Sequence, residues 1–151
     1  MKQDVKIAQN TDGLFDLSVA DSDFESVSGF ESAIMVSLFT DDRAPSSAVG
    51  SAARRRGWVG NVLTADIGRS LGSLLWLYEQ SRLTQEIKNE VTIAAEDCLK
   101  WMIEDGVAKG VQASVTQNAK RGIVVNINIT TLDGKNQRYE VLWRRTNATN
   151  I

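Results

Sequence analysis

Apolar and polar positions along this chain follow two periods, and the change between them divides it into parts. The first part has a period of two but is brief. In residues 4–8, Val5 and Ile7 point one way, as in a short edge strand. Asn10-Thr11-Asp12-Gly13 supplies a turn, because Asp-Gly tolerates the positive backbone angles of a tight reversal. Phe15, Leu17 and Val19 then alternate over residues 14–19, which predicts a hairpin. Residues 21–28 are acidic and turn-rich and read as a surface connection.

Helical spacing comes next. Ser28 and Glu31 stand at capping-box distance, and Phe30, Ile34 and Leu38, flanked by Ala33, Met35 and Phe39, form a broad apolar stripe that predicts a first helix. Ile67, Leu71, Leu74, Leu75 and Tyr78 fall on one face of a second. Gly68 and Gly72 weaken its propensity, although glycines four apart allow another backbone to come close. Thr84 is a good cap for a third, long helix with the clearest amphipathic pattern, through Ile87, Val91, Ala94, Ala95, Cys98 and Met102 to a terminator at Gly106. The period then returns to two. Val111, Ala113 and Val115 alternate, as do Ile123, Val125, Ile127 and Ile129. After a turn at Asp133-Gly134, Tyr139, Val141 and Trp143 do the same. This is an antiparallel meander with one apolar face. The expected fold is α+β, three helices packed on one face of a mainly antiparallel sheet. It forms a single domain over residues 1–151, with an N-terminal strand arm (1–28) and a polar tail (146–151).

Between the first two helical patterns lies a long loop, residues 39–61. Connections of this length inside a compact domain are uncommon and usually functional or disordered. It contains Asp41, Asp42 and Arg43 at one end and Arg54, Arg55, Arg56 and Trp58 at the other. Guanidinium forks suit bidentate pairing to carboxylates on a neighbour, and Arg with Trp are typical interface hot spots. These seven residues are therefore the candidate partner interface.

Charge sharpens this reading. Residues 1–42 hold nine acidic and two basic side chains, and the remainder holds ten acidic and fifteen basic, for a net charge of −2. Such asymmetry steers head-to-tail or heterotypic contact. The sequence pI near 5.2 argues against a nucleic-acid domain, which shows a basic footprint. No apolar run approaches the ~20 residues that span a bilayer, and residues 1–6 lead into no secretory signal core. The single cysteine fits a reducing cytoplasm, and Cys98, on an apolar stripe, is expected to be a packing residue.

Enzyme chemistry finds little here. There is no histidine, which removes the usual general base, the Ser-His and Cys-His pairs and the commonest zinc ligand. There is no phosphate-binding loop, and no metal or other cofactor is expected. The competing reading is a glycan (peptidoglycan) hydrolase using Asp41 or Asp42 with a distant second acid.

The order of the segments carries a resemblance. An apolar helix runs into Ser37-Leu38-Phe39-Thr40-Asp41-Asp42-Arg43-Ala44. Then come Arg55-Arg56-Gly57-Trp58-Val59-Gly60-Asn61, Gly72-Ser73-Leu74-Leu75-Trp76-Leu77, Trp101-Met102-Ile103-Glu104-Asp105-Gly106-Val107 and Tyr139-Glu140-Val141-Leu142-Trp143. This resembles, over most of the chain, the Mu-type phage tail baseplate proteins (the gene-forty-six-product family). They are regarded as counterparts of the small wedge protein of T-even baseplates and its type VI secretion relatives. The wider superfamily often carries a Glu-Pro-Arg-like element after its first helix. The nearest match here is Asp41-Asp42-Arg43, with proline only at Pro45.

The resemblance implies a structural, non-enzymatic part of a contractile phage tail, present in multiple copies and assembled in the host cytoplasm. Its implied partners are other baseplate wedge proteins and the tail sheath, with the tube as a further candidate and neither nucleic acid nor membrane among them. It also implies linkage by donated strands. The expected acceptors are the N-terminal strand at Val5 and Ile7 or an edge of the meander, because unpaired backbone groups at an edge recruit a strand.

Overall fold

A computed structural model of the chain describes residues 4–20, 23–24, 26–27, 30–49, 55–68, 70–118 and 122–144. The N-terminal arm is built from six very short strands: β1 (Asp4–Val5), β2 (Ile7–Gln9), β3 (Phe15–Leu17), β4 (Val19–Ala20), β5 (Asp23–Phe24) and β6 (Ser26–Val27). β2 pairs with β3, β4 with β5, and β6 returns to β1, all antiparallel. The expected hairpin is there. Its reversal is closed by hydrogen bonds from Asn10 N to Leu14 O (2.9 Å) and from Gly13 N to Asn10 O (3.0 Å). Residues 21–28, expected as a plain connection, instead contribute β5 and β6. Two-residue strands leave no alternation to read, since their pairing is a matter of backbone groups alone.

Helix α1 (Glu31–Phe39) buries Ile34, Met35 and Leu38 as its stripe requires. Phe30 occupies its cap position without a side-chain bond. Ser28, the expected cap, lies outside the described residues.

The second expected helix does not form as one element. The structure has α2 (Val59–Leu63), a 3₁₀ turn at Ala65–Ile67, an irregular stretch, and a second 3₁₀ turn at Leu75–Tyr78. Gly68 and Gly72 adopt φ of +72° and +123°, outside the right-handed helical basin, so the backbone turns away twice. Leu75 still reaches the core, so the apolar spacing was real although the helix was not. Close backbone approach at Gly72 is confirmed: a Cβ there would lie 2.6 Å from Thr40 O and 2.9 Å from Asp42 N.

Helix α3 (Gln85–Leu99) begins as expected, with Thr84 Oγ1 accepting a hydrogen bond from Ile87 N. It runs through Lys100 into a short α4 (Trp101–Glu104), and Gly106, at φ +69°, ends the helical path. β7 (Gly110–Asn118), β8 (Gly122–Thr130) and β9 (Asn136–Arg144) form the expected antiparallel meander in the order β7-β8-β9. Val125, Ile127 and Ile129 of β8 and Val141 of β9 are buried against Ile34, Leu38, Val91, Ala95, Leu99 and Met102. The fold is α+β.

The sheet edges are not bare. The Gln9 side chain donates to Leu142 O (2.7 Å) and accepts from Leu142 N (3.1 Å), tying the arm to β9. The Ser32 hydroxyl accepts from Ile7 N and donates to Val5 O. Glu96 of α3 accepts the N–H of Ala113 on β7 (2.9 Å). Each plug occupies backbone groups that an added strand would use.

Gly72 and Gly134 separate two costs. Both have positive φ, but a Cβ at Gly134 meets nothing within 4 Å. Gly134→Ala is expected to lose about 1–2 kcal/mol, the left-handed backbone penalty alone. Gly72→Ala should lose clearly more, because Thr40 and Asp42 must also move. Urea melts of the two variants check this, and equal losses would refute the close approach.

Candidate functional site

The loop after α1 is held by side chains that substitute for absent secondary structure. Asp42 N donates to Ser73 O (3.0 Å) and Ser73 N to Thr40 O (2.8 Å), a single parallel bridge that Gly72 makes room for. The buried Ser73 hydroxyl donates to Leu38 O (2.6 Å) and accepts from Leu75 N (3.3 Å). Asn61 forms a two-bond amide pair with the backbone of Leu71, at 2.8 and 2.7 Å. Trp76 Nε1 donates to Asp42 O (2.8 Å), fixing the loop from the opposite side. Trp101 Nε1 donates to Ser37 Oγ (3.2 Å), joining α4 to α1.

Six of the seven candidate interface residues are described, and Arg54 lies outside the described residues. Their roles divide. Arg55 points inward: its Nε donates to Ala44 O (2.6 Å) while Ala44 N donates back to Arg55 O (3.0 Å), clasping the ends of the loop. Arg56, in the left-handed region at φ +48°, forms ion pairs with Asp41 (3.2 Å) and Glu79 (3.5 Å) and stacks 4.9 Å from the Trp76 ring centroid. These guanidinium groups therefore find their acceptors within the chain rather than waiting for a neighbour. Asp41 is committed to Arg56. The Asp42 carboxylate accepts from Arg43 N (2.8 Å) and, at 3.5 Å each, from Asn61 and Ser70. Arg43 is exposed, its Cβ only 3.0 Å from where a Cβ of Gly57 would stand. Trp58 is half exposed and lies over Gly60, leaving no room for a side chain there.

Sequence reasoning did not find the apolar face that α2 presents just beyond Trp58. Val59, Val62 and Leu63 are 70%, 69% and 78% exposed, three aliphatic side chains on one face of α2 with nothing covering them. The signal was available as i, i+3, i+4 spacing, but α2 is too short for periodicity to stand out from a loop.

On its other face α2 borders a cleft of about 780 Å³, bounded across from it by the end of α3 and by α4. Asp42, Trp58 and Asn61 line it on one side, and Asp97, Trp101 and Glu104 on the other. Cys98 also lines it, its thiol donating to Ala95 O (3.1 Å) and its pKa pushed up to about 12, first by burial and then by the Asp97 and Asp42 charges. A thiol held neutral in this way is a packing group, as its place on the apolar stripe implied. Among the described residues no cluster of three or more His, Cys, Asp or Glu is arranged to hold a metal.

Fold and site together define a small α+β domain built around one self-clasped loop and one open cleft. A family model described as phage protein GP46 matches residues 30–136, from the residue before α1 to the first residue of β9. The Mu-like prophage FluMu protein gp46 of Haemophilus influenzae is 30% identical over 106 residues, covering 70% of this chain and 71% of that protein. Baseplate protein gp46 of Escherichia phage Mu is 29% identical over 109 residues, covering 71% and 73% respectively. The chain belongs to the phage protein GP46 family. The described N-terminal arm lies outside the region matched by the family model.

Two predictions test this geometry. Arg55→Ala should lower stability by about 1.5–3 kcal/mol, the range for a charge-assisted bond to a carbonyl. Arg56→Ala, whose ion pairs are nearly half exposed, should lose under about 1 kcal/mol, and less again in 0.5 M salt. Chemical denaturation at two salt concentrations distinguishes them.

For Cys98, the unfolded thiol loses its proton above about pH 8.5 while the native one keeps it. The native state then binds the extra proton, so this contribution is fully present below pH 8.5 and is lost as pH rises towards the native value. The urea midpoint should therefore fall between pH 8 and pH 10, and fall less in Cys98→Ala. A disulfide reagent at pH 8 should label Cys98 only after unfolding.

Proposed function

We propose that this protein is a structural component of a contractile phage tail baseplate wedge, docking on other wedge subunits and helping to anchor the first sheath ring around the tube. The observation that carries the reading is the bare aliphatic face of α2 beside the half-exposed Trp58. Scattered surface hydrophobes need no explanation, but a contiguous apolar group rimmed by polar residues marks an interaction site. The phage Mu relative, named as a baseplate protein, supports the setting. The role is non-enzymatic: Arg56 engages Asp41, and Asp42 accepts bonds that hold its own loop.

Among the candidate interface residues, Trp58 and Arg43 face outward and contact the partner directly. Asp41, Asp42, Arg55 and Arg56 shape the surface from behind, and Arg54 belongs to the same interface. Strand addition contributes at β7. A partner strand arriving at β9 must displace the arm bonded through Gln9, whereas at β7 it displaces the Glu96 carboxylate from one N–H. The acidic N-terminal third helps set register against a basic neighbour. Assembly takes place in the host cytoplasm, and the finished protein resides in the virion baseplate, in multiple copies.

The test is co-expression with the wedge and sheath genes of the same tail. Wild-type chain should co-purify with a wedge subunit and appear in assembled tails. Val62→Glu combined with Leu63→Glu should remove it from both, with circular dichroism and melting unchanged, since neither side chain packs inside. Retention of that double variant in tails would refute docking through α2. Clearing of a peptidoglycan suspension by wild-type protein would refute the non-enzymatic role.

A further inference from the structure

The cleft between α2 and the end of α3 has a chemistry of its own. Its lining is more apolar than polar, with Leu71, Leu74, Ala94 and the Trp101 ring among its walls. Its far wall is acidic. Asp97, Glu104 and Asp105 lie on it, with Lys100 the one cation among the described lining residues. Neither Asp97 nor Glu104 has an ion-pair partner among the described residues, unlike Asp41.

These two acids are seven positions apart on a nearly continuous helical path through α3 and α4. Two helical turns put them on one face, about 10 Å apart. The half-exposed Trp58 borders the opposite lip. The cleft thus offers a mainly apolar trough with the Trp58 ring on one lip and, on the other, two carboxylates that have no ion-pair partner among the described residues.

Resting on the docking role proposed above, we infer that this cleft receives a segment of a neighbouring protein bearing apolar anchors and two cationic side chains about 10 Å apart. Complementary charge decides the class of occupant. An acidic segment would set like charges against Asp97 and Glu104, and a purely apolar one would leave both carboxylates facing a drier surface without a partner. The required cation spacing is seven residues in a helical segment. The volume of the cleft accommodates one or two large anchor side chains.

The test uses two synthetic 16-residue amphipathic peptides with the same Leu and Trp anchors. One carries arginines seven apart on its polar face, and the other carries glutamates at those positions. Titrated into the ¹⁵N-labelled full chain, the arginine peptide should shift the Trp58 and Trp101 indole signals and the amides of Leu71 and Asp97. It should bind at least tenfold more tightly than the glutamate peptide and weaken as salt rises from 0.05 to 0.5 M. Asp97→Lys and Glu104→Lys, both at exposed positions, should each cut affinity at least tenfold with an unaltered circular dichroism spectrum. Glu86→Lys, at the far end of α3, should leave it unchanged.

Equal binding of the two peptides, shifts mapping away from the cleft, or indifference to both charge reversals would overturn the inference. So would concentration-dependent self-association that covers the same residues, since a second copy would then be the occupant. A chain that enters tails but treats both peptides alike leaves the baseplate reading standing without this cleft. One that binds the arginine peptide as described but never enters tails does the reverse.

Discussion

Buried backbone N–H and C=O groups must find partners, and in this chain many lie where no regular helix or strand can supply them. The loop after α1 and its counterpart around Gly72 meet at a single bridge, too short to form a sheet. Side chains take over the pairing. The Ser73 hydroxyl serves the Leu38 carbonyl and the Leu75 N–H at once, Asn61 imitates a strand partner for Leu71, and Arg55 closes the loop on Ala44. If these contacts were removed, the segment that presents Trp58 and α2 would have no fixed position relative to the core.

The same device recurs at the sheet edges. Gln9 on Leu142, Ser32 on Val5 and Ile7, and Glu96 on Ala113 each cover backbone that would otherwise attract a strand. An assembly protein needs its edges quiet before it meets the correct partner, because an open edge accepts any extended segment. A plug made of one side chain meets that need reversibly. The three plugs differ in what they anchor. Gln9 carries the arm with it, and Ser32 is part of buried α1. Glu96 reaches across from the surface of α3 and is the simplest to release.

How much was legible in the sequence depended on how long each element is. In α3 and the meander, nine to fifteen residues repeat one period against a common core, so element type and inward face were legible, down to the Thr84 cap, although Val124, Asn126 and Leu142 on the other face are buried as well. Residues 67–78 kept their apolar spacing but lost the helix. Two glycines in left-handed geometry outweighed that spacing, and the spacing itself reported burial rather than conformation. The short strands β5 and β6 were invisible because hydrogen-bond pairing between two-residue segments leaves no trace in side-chain type.

The candidate site was legible as a place but not as a set of roles. Composition brought out the arginine run and Trp58, and the structure does gather Asp41, Asp42, Arg55 and Arg56 around one loop. Sequence alone could not tell which guanidinium groups find acceptors inside the chain, since that depends on where Ala44 O and Glu79 come to lie in three dimensions. The internal use of the arginines is itself informative about assembly. A loop ordered only on docking would lose backbone entropy at that step, of order 1–2 kcal/mol for each residue fixed. Here the ion pairs and the Ala44 clasp hold its described ends in the folded chain, so Trp58 and the α2 face that follows have a defined position without any partner. Arg55 and Arg56 thus act on this surface by holding it in place.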